Sequence, residues 1–290
     1  MTMFQPDLLA GKVVLITGGG TGLGRTMAQR FLSLGARVAI CGRREAVLEK
    51  AVSEMSASTA DGDGTFADRI FAMTCDVRDP ASIEALIDGV IHRFGQIDIL
   101  VNNAAGNFIS PTVRLSPRAI DSVLNIVLHG TAYMTLELGK RWIAHQQPGV
   151  VLNIVTTYAS TGSAYVVPSA MAKAGVLALT RSLAVEWAPY GIRHVAIAPG
   201  PFPTEGAWSR LAPTPELADH MVDRIPLKRV GDPTELANLA SYLVSDFAGF
   251  INGEVITIDG GEWLQGAGEF NDLRHVTDEQ WDHLREMTQK

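Results

Sequence analysis

Residues 12–24 read KVVLITGGGTGLG, and this stretch joins a short apolar run directly to a turn rich in glycine. The run KVVLI has the length and the Val/Ile content of a strand that is buried on both faces. The helical pattern RTMAQRFLSL follows the turn, so the order is strand, turn and helix. Glycine at such a turn lets the backbone approach a pyrophosphate, and the N-terminus of the helix supplies amide donors to phosphate oxygens. The stretch therefore predicts a dinucleotide-binding βαβ unit.

The alternation of apolar runs with amphipathic segments continues along the whole chain. It is typical of an α/β fold, and it predicts one domain over residues 1–290 built on a doubly wound, seven-stranded parallel sheet. The candidate strands are 12–17, 37–40, 70–75, 97–101, 150–155, 193–198 and 254–259. Helical patterns lie near 23–34, 44–57, 80–94, 116–146, 170–188 and 233–245.

Two segments interrupt this alternation. Residues 199–232 form a long, proline-rich excursion after the sixth strand, and we expect a substrate lid there because structureless loops of this length are uncommon. The tail 262–290 is polar and contains TDEQWDHLREM, where Thr277 is a candidate N-cap and Gln280 the reciprocal capping residue of a short helix.

Composition narrows the classes of function. The 290 residues are 47% hydrophobic and 19% charged, with a formal net charge of −7, and this acidic balance argues against a nucleic-acid-binding domain. No apolar run approaches the ~18–20 residues of a membrane span. Neither a secretory signal nor a peroxisomal C-terminal tripeptide is visible, so a cytoplasmic location is the default expectation. Cys41 and Cys75 end two strand-like runs and are predicted to be buried, reduced thiols, and no metal site is expected.

The residues after the second and third strands bear on the choice of cofactor. An enzyme that reads the ribose 2′-hydroxyl of NAD carries an acidic residue near the end of the second strand, whereas Arg43 and Arg44 stand at this place. Guanidinium groups match a 2′-phosphate bidentately, so NADPH is the predicted cofactor. Asp76, after the third strand, is a candidate acceptor for the adenine amino group.

Four features together resemble the short-chain dehydrogenase/reductase family: TGGGTGLG (17–24), NNAAG (102–106), a helix bearing Lys173, and the Pro-Gly pair after the sixth strand. The resemblance extends over residues 8–262 and implies a Rossmann-like fold, a nicotinamide cofactor and a homotetramer. The implied cofactor contacts are Thr17, Gly18, Gly20, Thr21, Gly22, Leu23, Gly24, Arg43, Arg44, Asp76, Val77, Asn103, Ala104, Ala105, Lys173, Pro199, Gly200 and Pro201.

The sequence departs from that family at the positions of the family's active-site residues. In the family a tyrosine lies four residues before the lysine and a serine thirteen residues before the tyrosine, and here Ser169 and Thr156 fill these positions. Val127 stands where the family usually has an asparagine. The substituted stretches resemble the NADPH-dependent 2,4-dienoyl-CoA reductases. The matching stretches are NNAAGNFISPT (102–112), TTYASTGS (156–163), VVPSAMAKAGV (166–176), PGPFPTEGAWSRL (199–211) and GEFNDLRHVTDEQW (268–281).

This second resemblance implies Tyr158 and Lys173 as catalytic residues, with Asn107 and Ser169 as their partners. The Tyr158 hydroxyl and the Asn107 amide would stabilise a dienolate oxygen. Lys173 would bind the nicotinamide ribose, and Ser169 would hydrogen-bond the lysine ammonium. The expected substrate contacts are Phe108, Phe202 and Trp208 for an acyl chain and Arg114 for a CoA phosphate.

Three functions remain open from the sequence. The first is NADPH-dependent reduction of a 2,4-dienoyl-CoA to a 3-enoyl-CoA in unsaturated fatty-acid degradation, with an acyl-CoA thioester as substrate. The second is a related reductase acting on an enoyl thioester or a carbonyl, with Tyr158 or Tyr165 as the acid. The third is a non-catalytic NADP(H)-binding subunit. Loss of the usual tyrosine favours the third, whereas the retained Lys173 and glycine turn count against it.

Overall fold

The structure is a computed structural model that describes residues 4–57, 66–204 and 214–288. Its centre is a seven-stranded sheet of order β3-β2-β1-β4-β5-β6-β7, in which all neighbouring strands run parallel. The strands are β1 (Val13–Thr17), β2 (Arg37–Gly42), β3 (Ile70–Thr74), β4 (Ile99–Asn102), β5 (Gly149–Ile154), β6 (Ile192–Pro199) and β7 (Val255–Ile258). The strand order reverses between β1 and β4, which opens a crevice at the carboxyl ends of these two strands. The predicted Rossmann-like sheet is therefore confirmed.

Helices cover both faces of the sheet. They are α1 (Gly22–Ser33), α2 (Glu45–Ala57), α3 (Pro80–Phe94), α4 (Pro117–Leu124), α5 (Gly130–Ala144), α6 (Val167–Glu186), α7 (Pro215–Arg224), α8 (Pro233–Val244), α9 (Glu262–Ala267) and α10 (Asp278–Thr288). Alternate residues of β1 enter different apolar clusters: Ile16 packs with Phe31 of α1, and Leu15 packs with Leu86 of α3. Because both faces are covered, β1 is a continuous apolar run, as the sequence predicts.

The long helix predicted over 116–146 is interrupted. Residues Asn125–His129 form a π-helical turn between α4 and α5, so one predicted helix is two helices joined by a wider turn. Val127 in this turn is fully buried. Gly130 follows, and a Cβ there would lie 2.6 Å from the Val77 side chain, so the chain packs too closely at this point for any larger residue. Hydrophobic periodicity does not reveal the extra residue of a π turn.

The two irregular segments contain more structure than predicted. The expected lid, 199–232, includes α7, and the tail begins with α9, which the sequence did not predict. The predicted tail helix is present as α10. Its capping box is made by Gln280 N donating to Thr277 Oγ1 at 3.3 Å and Thr277 N donating to Gln280 Oε1 at 2.9 Å. Within the described residues, no helix combines the length and apolar character that crossing a membrane requires.

Candidate active site

Two connected cavities lie at the carboxyl edge of the sheet. The first, which we call the narrow cleft, has a volume of about 360 Å³ and lies beside the ends of β1 to β4. The second, the large cavity, has a volume of about 940 Å³ and lies beside β5, β6 and the start of α6. Both cavities are lined by Leu23, Asn103, Ala105 and Thr204, so an extended ligand can reach from one into the other.

Hydrogen bonds hold the glycine turn against the loop after β4. Thr17 Oγ1 accepts from the backbone amides of Asn103 and Ala104, both at 3.0 Å. Asn103 Nδ2 donates to the carbonyls of Thr17 at 3.0 Å and Gly18 at 3.2 Å. Thr17 is 2% exposed and lies behind the cavity wall, so it fixes the two loops that form the wall. A polar cluster of this kind accounts for the asparagines that follow β4.

The turn fits a dinucleotide because side chains are excluded from it. Gly18 and Gly22 have φ of +66° and +53°, values that side-chain-bearing residues rarely adopt. A Cβ on Gly24 would lie 2.5 Å from Asn103 Nδ2 and 2.5 Å from the Gly18 carbonyl oxygen. Thr21, the N-cap of α1, makes no side-chain hydrogen bond to the helix amides, which leaves those donors to a ligand.

Charged residues line the far end of the narrow cleft. Arg43 and Arg44 are exposed there and have no ion pair among the described residues, so both guanidinium groups are available to an anion. The Asp76 carboxylate accepts from Arg78 Nε at 2.9 and 3.0 Å. The pKa of Asp76 is lowered, chiefly by the hydrogen bond from Arg78 and in smaller part by the charge of Arg43. Asp76 is thus ionised and faces the cleft as an acceptor.

The large cavity contains the predicted catalytic group. Tyr158 lies in the 3₁₀ turn Thr157–Ala159 after β5, and its hydroxyl hydrogen-bonds to Ser169 Oγ at 3.2 Å. Ser169 is 3% exposed in the first turns of α6, and Lys173 is 6% exposed one turn further on. Lys173 Nζ donates to the Ile154 carbonyl at the end of β5. The expected hydrogen bond between Ser169 and the lysine ammonium is wrong, because in the described structure these two groups bond to Tyr158 and to Ile154.

The Lys173 ammonium is held in an apolar setting. Desolvation by burial lowers its pKa from 10.5 to about 8. The group is therefore mostly protonated at neutral pH and becomes neutral in mildly alkaline solution. A buried cation at a cavity wall favours a nearby anionic or electron-rich ligand group, since few protein dipoles compensate its charge.

Two loops bring the candidate oxyanion donors to one wall. Asn107 lies in the loop after β4, and its Oδ1 accepts from Phe108 N at 2.9 Å, which leaves Nδ2 without a partner among the described residues. Ser110 N donates to the Tyr165 carbonyl at 2.9 Å and so ties this loop to the loop that carries Tyr158. Tyr165 has φ +65°, and its side chain is 59% exposed at the same cavity.

The predicted cofactor contacts divide between the two cavities. Those in the narrow cleft are Gly18, Gly20, Thr21, Leu23, Arg43, Arg44, Asp76, Val77, Asn103, Ala104 and Ala105. Lys173, Pro199, Gly200 and Pro201 line the large cavity, whereas Thr17, Gly22 and Gly24 support the wall without lining it.

The residues predicted to contact substrate lie only in part at the large cavity. Phe202 is 9% exposed and lines the large cavity. Phe108 and Arg114 are exposed and are not among the described residues that line either cavity, so their predicted contact with substrate is not supported. Trp208 lies outside the described residues. Single aromatic or basic residues in loops are ambiguous because loop direction is set by contacts distant in sequence.

Several residues of the large cavity were not predicted. Thr156 lines this cavity, and its hydroxyl is buried without a hydrogen-bond partner in the described structure. Helix α7 contributes Met221 and Arg224, and α9 contributes Glu262 and Trp263. Burial raises the pKa of Glu262, and the charge of Arg224, at 3.9 Å, lowers it in part. The sequence did single out Thr156, because it stands where the family has a serine. Nothing in the sequence indicates that α9 folds back over the cavity.

The described residues contain no group of three or more His, Cys, Asp or Glu side chains placed to bind a metal ion. A cleft built on a glycine turn, joined to a cavity with a buried lysine, defines a nicotinamide-dependent oxidoreductase of Rossmann type. The chain belongs to the short-chain dehydrogenase/reductase family: a family model described as enoyl-(acyl carrier protein) reductase matches residues 18–262.

Named relatives cover nearly the whole chain. A Caenorhabditis elegans protein named as a probable (3E)-enoyl-CoA-producing 2,4-dienoyl-CoA reductase is 43% identical over 96% of this chain and 89% of its own length. A Bacillus subtilis protein named as a probable (2E)-enoyl-CoA-producing 2,4-dienoyl-CoA reductase is 43% identical over 87% of this chain and 97% of its own length.

Solved structures agree with the fold. A short-chain dehydrogenase from Bacillus anthracis is 45% identical, with a TM-score of 0.77 over 87% of this chain and 96% of that one. A 3-ketoacyl-(acyl-carrier-protein) reductase from Brucella melitensis, solved in complex with NADH, is 31% identical, with a TM-score of 0.76 over 88% of this chain and 99% of that one. The family and this complex identify the cofactor as a nicotinamide dinucleotide.

Proposed function

We propose that this protein is an NADPH-dependent 2,4-dienoyl-CoA reductase that forms a 3-enoyl-CoA through a dienolate. The observation that carries the proposal is the Tyr158 hydroxyl in the wall of the large cavity, 3.2 Å from Ser169, which occupies the usual tyrosine position. The phenol has moved in sequence to the loop after β5, while Lys173 keeps its place on α6. The 43% identity to two proteins named for this activity supports the same assignment.

The chemistry of a dienoyl thioester suits these groups. A bound reduced nicotinamide supplies the hydride. Addition of hydride at C5 of the substrate moves an electron pair through the conjugated system onto the thioester oxygen, and protonation of the resulting dienolate at C2 gives the 3-enoyl product. Oxyanion donors that are already in position lower the barrier to such a step, because they need not reorganise as charge develops.

Tyr158 and Asn107 are the proposed donors. The Asn107 Oδ1 atom is held by Phe108 N, so Nδ2 is left to donate to the thioester oxygen. The bond between Ser110 N and the Tyr165 carbonyl fixes the two donor loops relative to each other. Ser169 orients the Tyr158 hydroxyl, and Lys173 binds the nicotinamide ribose and adds positive potential beside the reacting oxygen.

The alternatives have less support. Carbonyl reduction through Ser169 is disfavoured because a serine hydroxyl is a far weaker acid than a phenol. Tyr165 is 59% exposed and makes no side-chain hydrogen bond among the described residues, whereas Tyr158 is half-buried and bonded. A non-catalytic NADP(H)-binding subunit has no need of a buried ammonium beside a cavity of about 940 Å³.

NADPH is proposed over NADH because Arg43 and Arg44 are unpaired at the cleft, where an acidic residue would serve NADH. Replacing both arginines with alanine removes the proposed 2′-phosphate contacts. The double variant should raise the KM for NADPH by about 100-fold or more, since it removes two charge-assisted contacts of roughly 1.5–3 kcal/mol each. The KM for NADH should change little. Equal losses with both cofactors would refute the assignment.

The decisive assay follows NADPH absorbance with 2,4-hexadienoyl-CoA, a trans-2-enoyl-CoA and a simple ketone in parallel. We expect oxidation with the dienoyl thioester alone, and product analysis should give the 3-enoyl isomer. Turnover of the ketone or the enoyl thioester in preference would support the related reductase instead. Tight NADPH binding without oxidation by any substrate would support the non-catalytic subunit.

Several further assignments stay predictions that this assay leaves open. They are a role in unsaturated fatty-acid degradation, a cytoplasmic location, a homotetramer and a single domain over residues 1–290 with a lid at 199–232 and a tail at 262–290. A relative from Pongo abelii, 37% identical, is named as peroxisomal, which makes fractionation of the native cell the direct test of location.

A further inference from the structure

The two cysteines of the chain lie together in the wall of the narrow cleft. Cys41 is at the end of β2, and Cys75 directly follows β3, the neighbouring strand. Both are free thiols that line the cleft beside Arg43, Arg44 and Asp76. The reaction proposed above uses neither thiol.

The strand register places both sulfur atoms on one face of the sheet. Cys41 is aligned with Met73, and side chains two residues apart on a strand point the same way, so Cys75 follows Met73 on the face that Cys41 occupies. Cys75 N donates to the Gly42 carbonyl at 2.9 Å, which continues the β2–β3 ladder past the end of β3. Both cysteines belong to the same apolar cluster, in which the Cys75 thiol donates to the Ser82 carbonyl at 3.6 Å.

We propose that Cys41 and Cys75 are a redox-modification site, at which a peroxide oxidises the pair to a disulfide when the narrow cleft holds no cofactor. The Cys75 thiolate attacks the peroxide, which gives a sulfenic acid and releases water from hydrogen peroxide. The Cys41 sulfur then attacks the sulfenic sulfur, and a second water leaves as the disulfide forms. Two thiols and one peroxide are converted to one disulfide and two waters.

The environments of the two thiols set the order of these steps. The pKa of Cys75 is lowered, chiefly by the hydrogen bond with Cys41 and further by the Ser82 hydroxyl, against burial and the charges of Asp76 and Asp79. The pKa of Cys41 is raised by the same hydrogen bond and by burial. Cys41 is 0% exposed and Cys75 is 3% exposed, so the two thiols differ in pKa and not in access from the cleft. Cys75 is therefore the attacking thiolate and Cys41 the resolving thiol.

Oxidation of the two cysteines should change cofactor binding and not the proposed catalytic residues. The new bond forms in the wall of the narrow cleft, whereas Tyr158 and Lys173 line the large cavity and are not altered. A dinucleotide bound in the narrow cleft would cover this wall, so cofactor should protect the thiols and oxidation should weaken cofactor binding.

The test is carried out on the full chain, with and without saturating NADP⁺, using a small excess of hydrogen peroxide. Without NADP⁺ the intact mass should fall by two hydrogens, and a proteolytic digest should contain a Cys41–Cys75 cross-linked peptide that dithiothreitol cleaves. NADP⁺ should suppress the cross-link. The Kd for NADP⁺, measured by calorimetry, should rise about tenfold on oxidation, which corresponds to ~1.4 kcal/mol.

Each single variant is compared with itself before and after peroxide. Cys75→Ser should form no cross-link and show no oxidant-dependent change in Kd. Cys41→Ser should accumulate a sulfenic acid at Cys75 that dimedone labels. The proposal is wrong if the wild-type digest holds no cross-linked peptide, or if Cys75→Ser loses NADP⁺ affinity on oxidation as the wild type does.

Discussion

Three side chains at the start of α6 and in the loop before it are the proposed catalytic group. Tyr158 hydrogen-bonds to Ser169, and Lys173 donates to the carbonyl of Ile154 at the end of β5. Each polar group thus has one partner from the protein and remains in the wall of a cavity. Buried polar groups are costly unless they are bonded, so this arrangement holds the phenol and the ammonium in place before a ligand binds.

Tyr158→Phe tests the phenol. Removing one oxyanion donor costs about 2.7–4 kcal/mol in comparable sites, so kcat with a dienoyl thioester should fall by roughly 100-fold or more while NADP⁺ binding is kept. Steady-state kinetics and calorimetry measure the two quantities. Tyr165→Phe is the matched control, since it removes the other phenol of the same cavity. If Tyr158→Phe keeps its kcat and Tyr165→Phe loses activity, Tyr165 and not Tyr158 is the working phenol.

Lys173 should give the enzyme an alkaline limit. Its pKa in the folded chain is about 8, below the ordinary 10.5, so the ammonium loses its charge as the pH rises through about 8. The value of kcat/KM for the cofactor should therefore fall above that pH. The free energy of unfolding changes in the opposite direction. Between pH of about 8 and 10.5 the unfolded chain binds more protons than the folded chain, so the free energy of unfolding rises with pH in this range. In Lys173→Arg the charge persists, and an unchanged alkaline limit in that variant would argue against Lys173 as its source.

At the scale of single residues, the sequence predicted which residues lie at the site better than which groups they bond to. Tyr158, Ser169 and Lys173 were all predicted, yet Ser169 was paired with the wrong partner. The spacing of four residues places Ser169 and Lys173 on one side of α6, but it does not determine which neighbouring group each side chain reaches. That choice depends on the loop after β5, which approaches α6 only in the folded chain.

At the scale of elements, the decisive unit is β1, its glycine turn and α1. Gly24→Ala should disrupt it, because the new methyl would lie 2.5 Å from both Asn103 Nδ2 and the Gly18 carbonyl oxygen. We expect a stability loss of about 1–3 kcal/mol from overpacking, together with weaker NADP⁺ binding. Thermal unfolding and calorimetry measure both.

The control is Gly266→Ala in α9, where a Cβ would meet nothing within 4 Å. An alanine in that exposed helix should stabilise it by about 0.5–1 kcal/mol through helix propensity. If Gly24→Ala leaves stability and binding unchanged, close packing at the glycine turn is not what Gly24 provides.

Other elements were predicted less well, for reasons specific to each. The π turn Asn125–His129 is set by packing of the helix against Val77 and α6, and apolar spacing carries no sign of it. Helix α7 ends in Arg224, whose guanidinium lies 3.9 Å from Glu262 of α9. This contact joins segments far apart in sequence, so no local pattern predicts it.

At the scale of the whole molecule, acid stability should depend on His194 of β6. The ring is fully buried, neither nitrogen has a partner in the described structure, and it packs edge-on against Trp187. Burial lowers its pKa from 6.5 to about 4. The unfolded chain binds this proton first, so stability that is complete above pH 6.5 is lost as the pH falls toward 4, by about 3 kcal/mol in total.

His194→Leu should remove this loss, so its free energy of unfolding should change less between neutral pH and pH 4 than that of the wild type. Urea unfolding at a series of pH values measures the difference. His145, which is exposed after α5, offers the control substitution His145→Leu. An acid-dependent loss of the same size in the His194 variant would show that other groups cause it.

The sequence by itself determined the α/β class, the number of strands, the glycine turn and the residue types proposed for the site. These properties are local: apolar period, glycine spacing and helix caps depend on residues within a few positions of one another. Only the tertiary structure decided that Ser169 bonds to Tyr158, that α7 and α9 line the large cavity, and that Cys41 and Cys75 line the same cleft. Those contacts join segments that are brought together by the order of strands in the sheet, and strand order is fixed by packing over the whole chain.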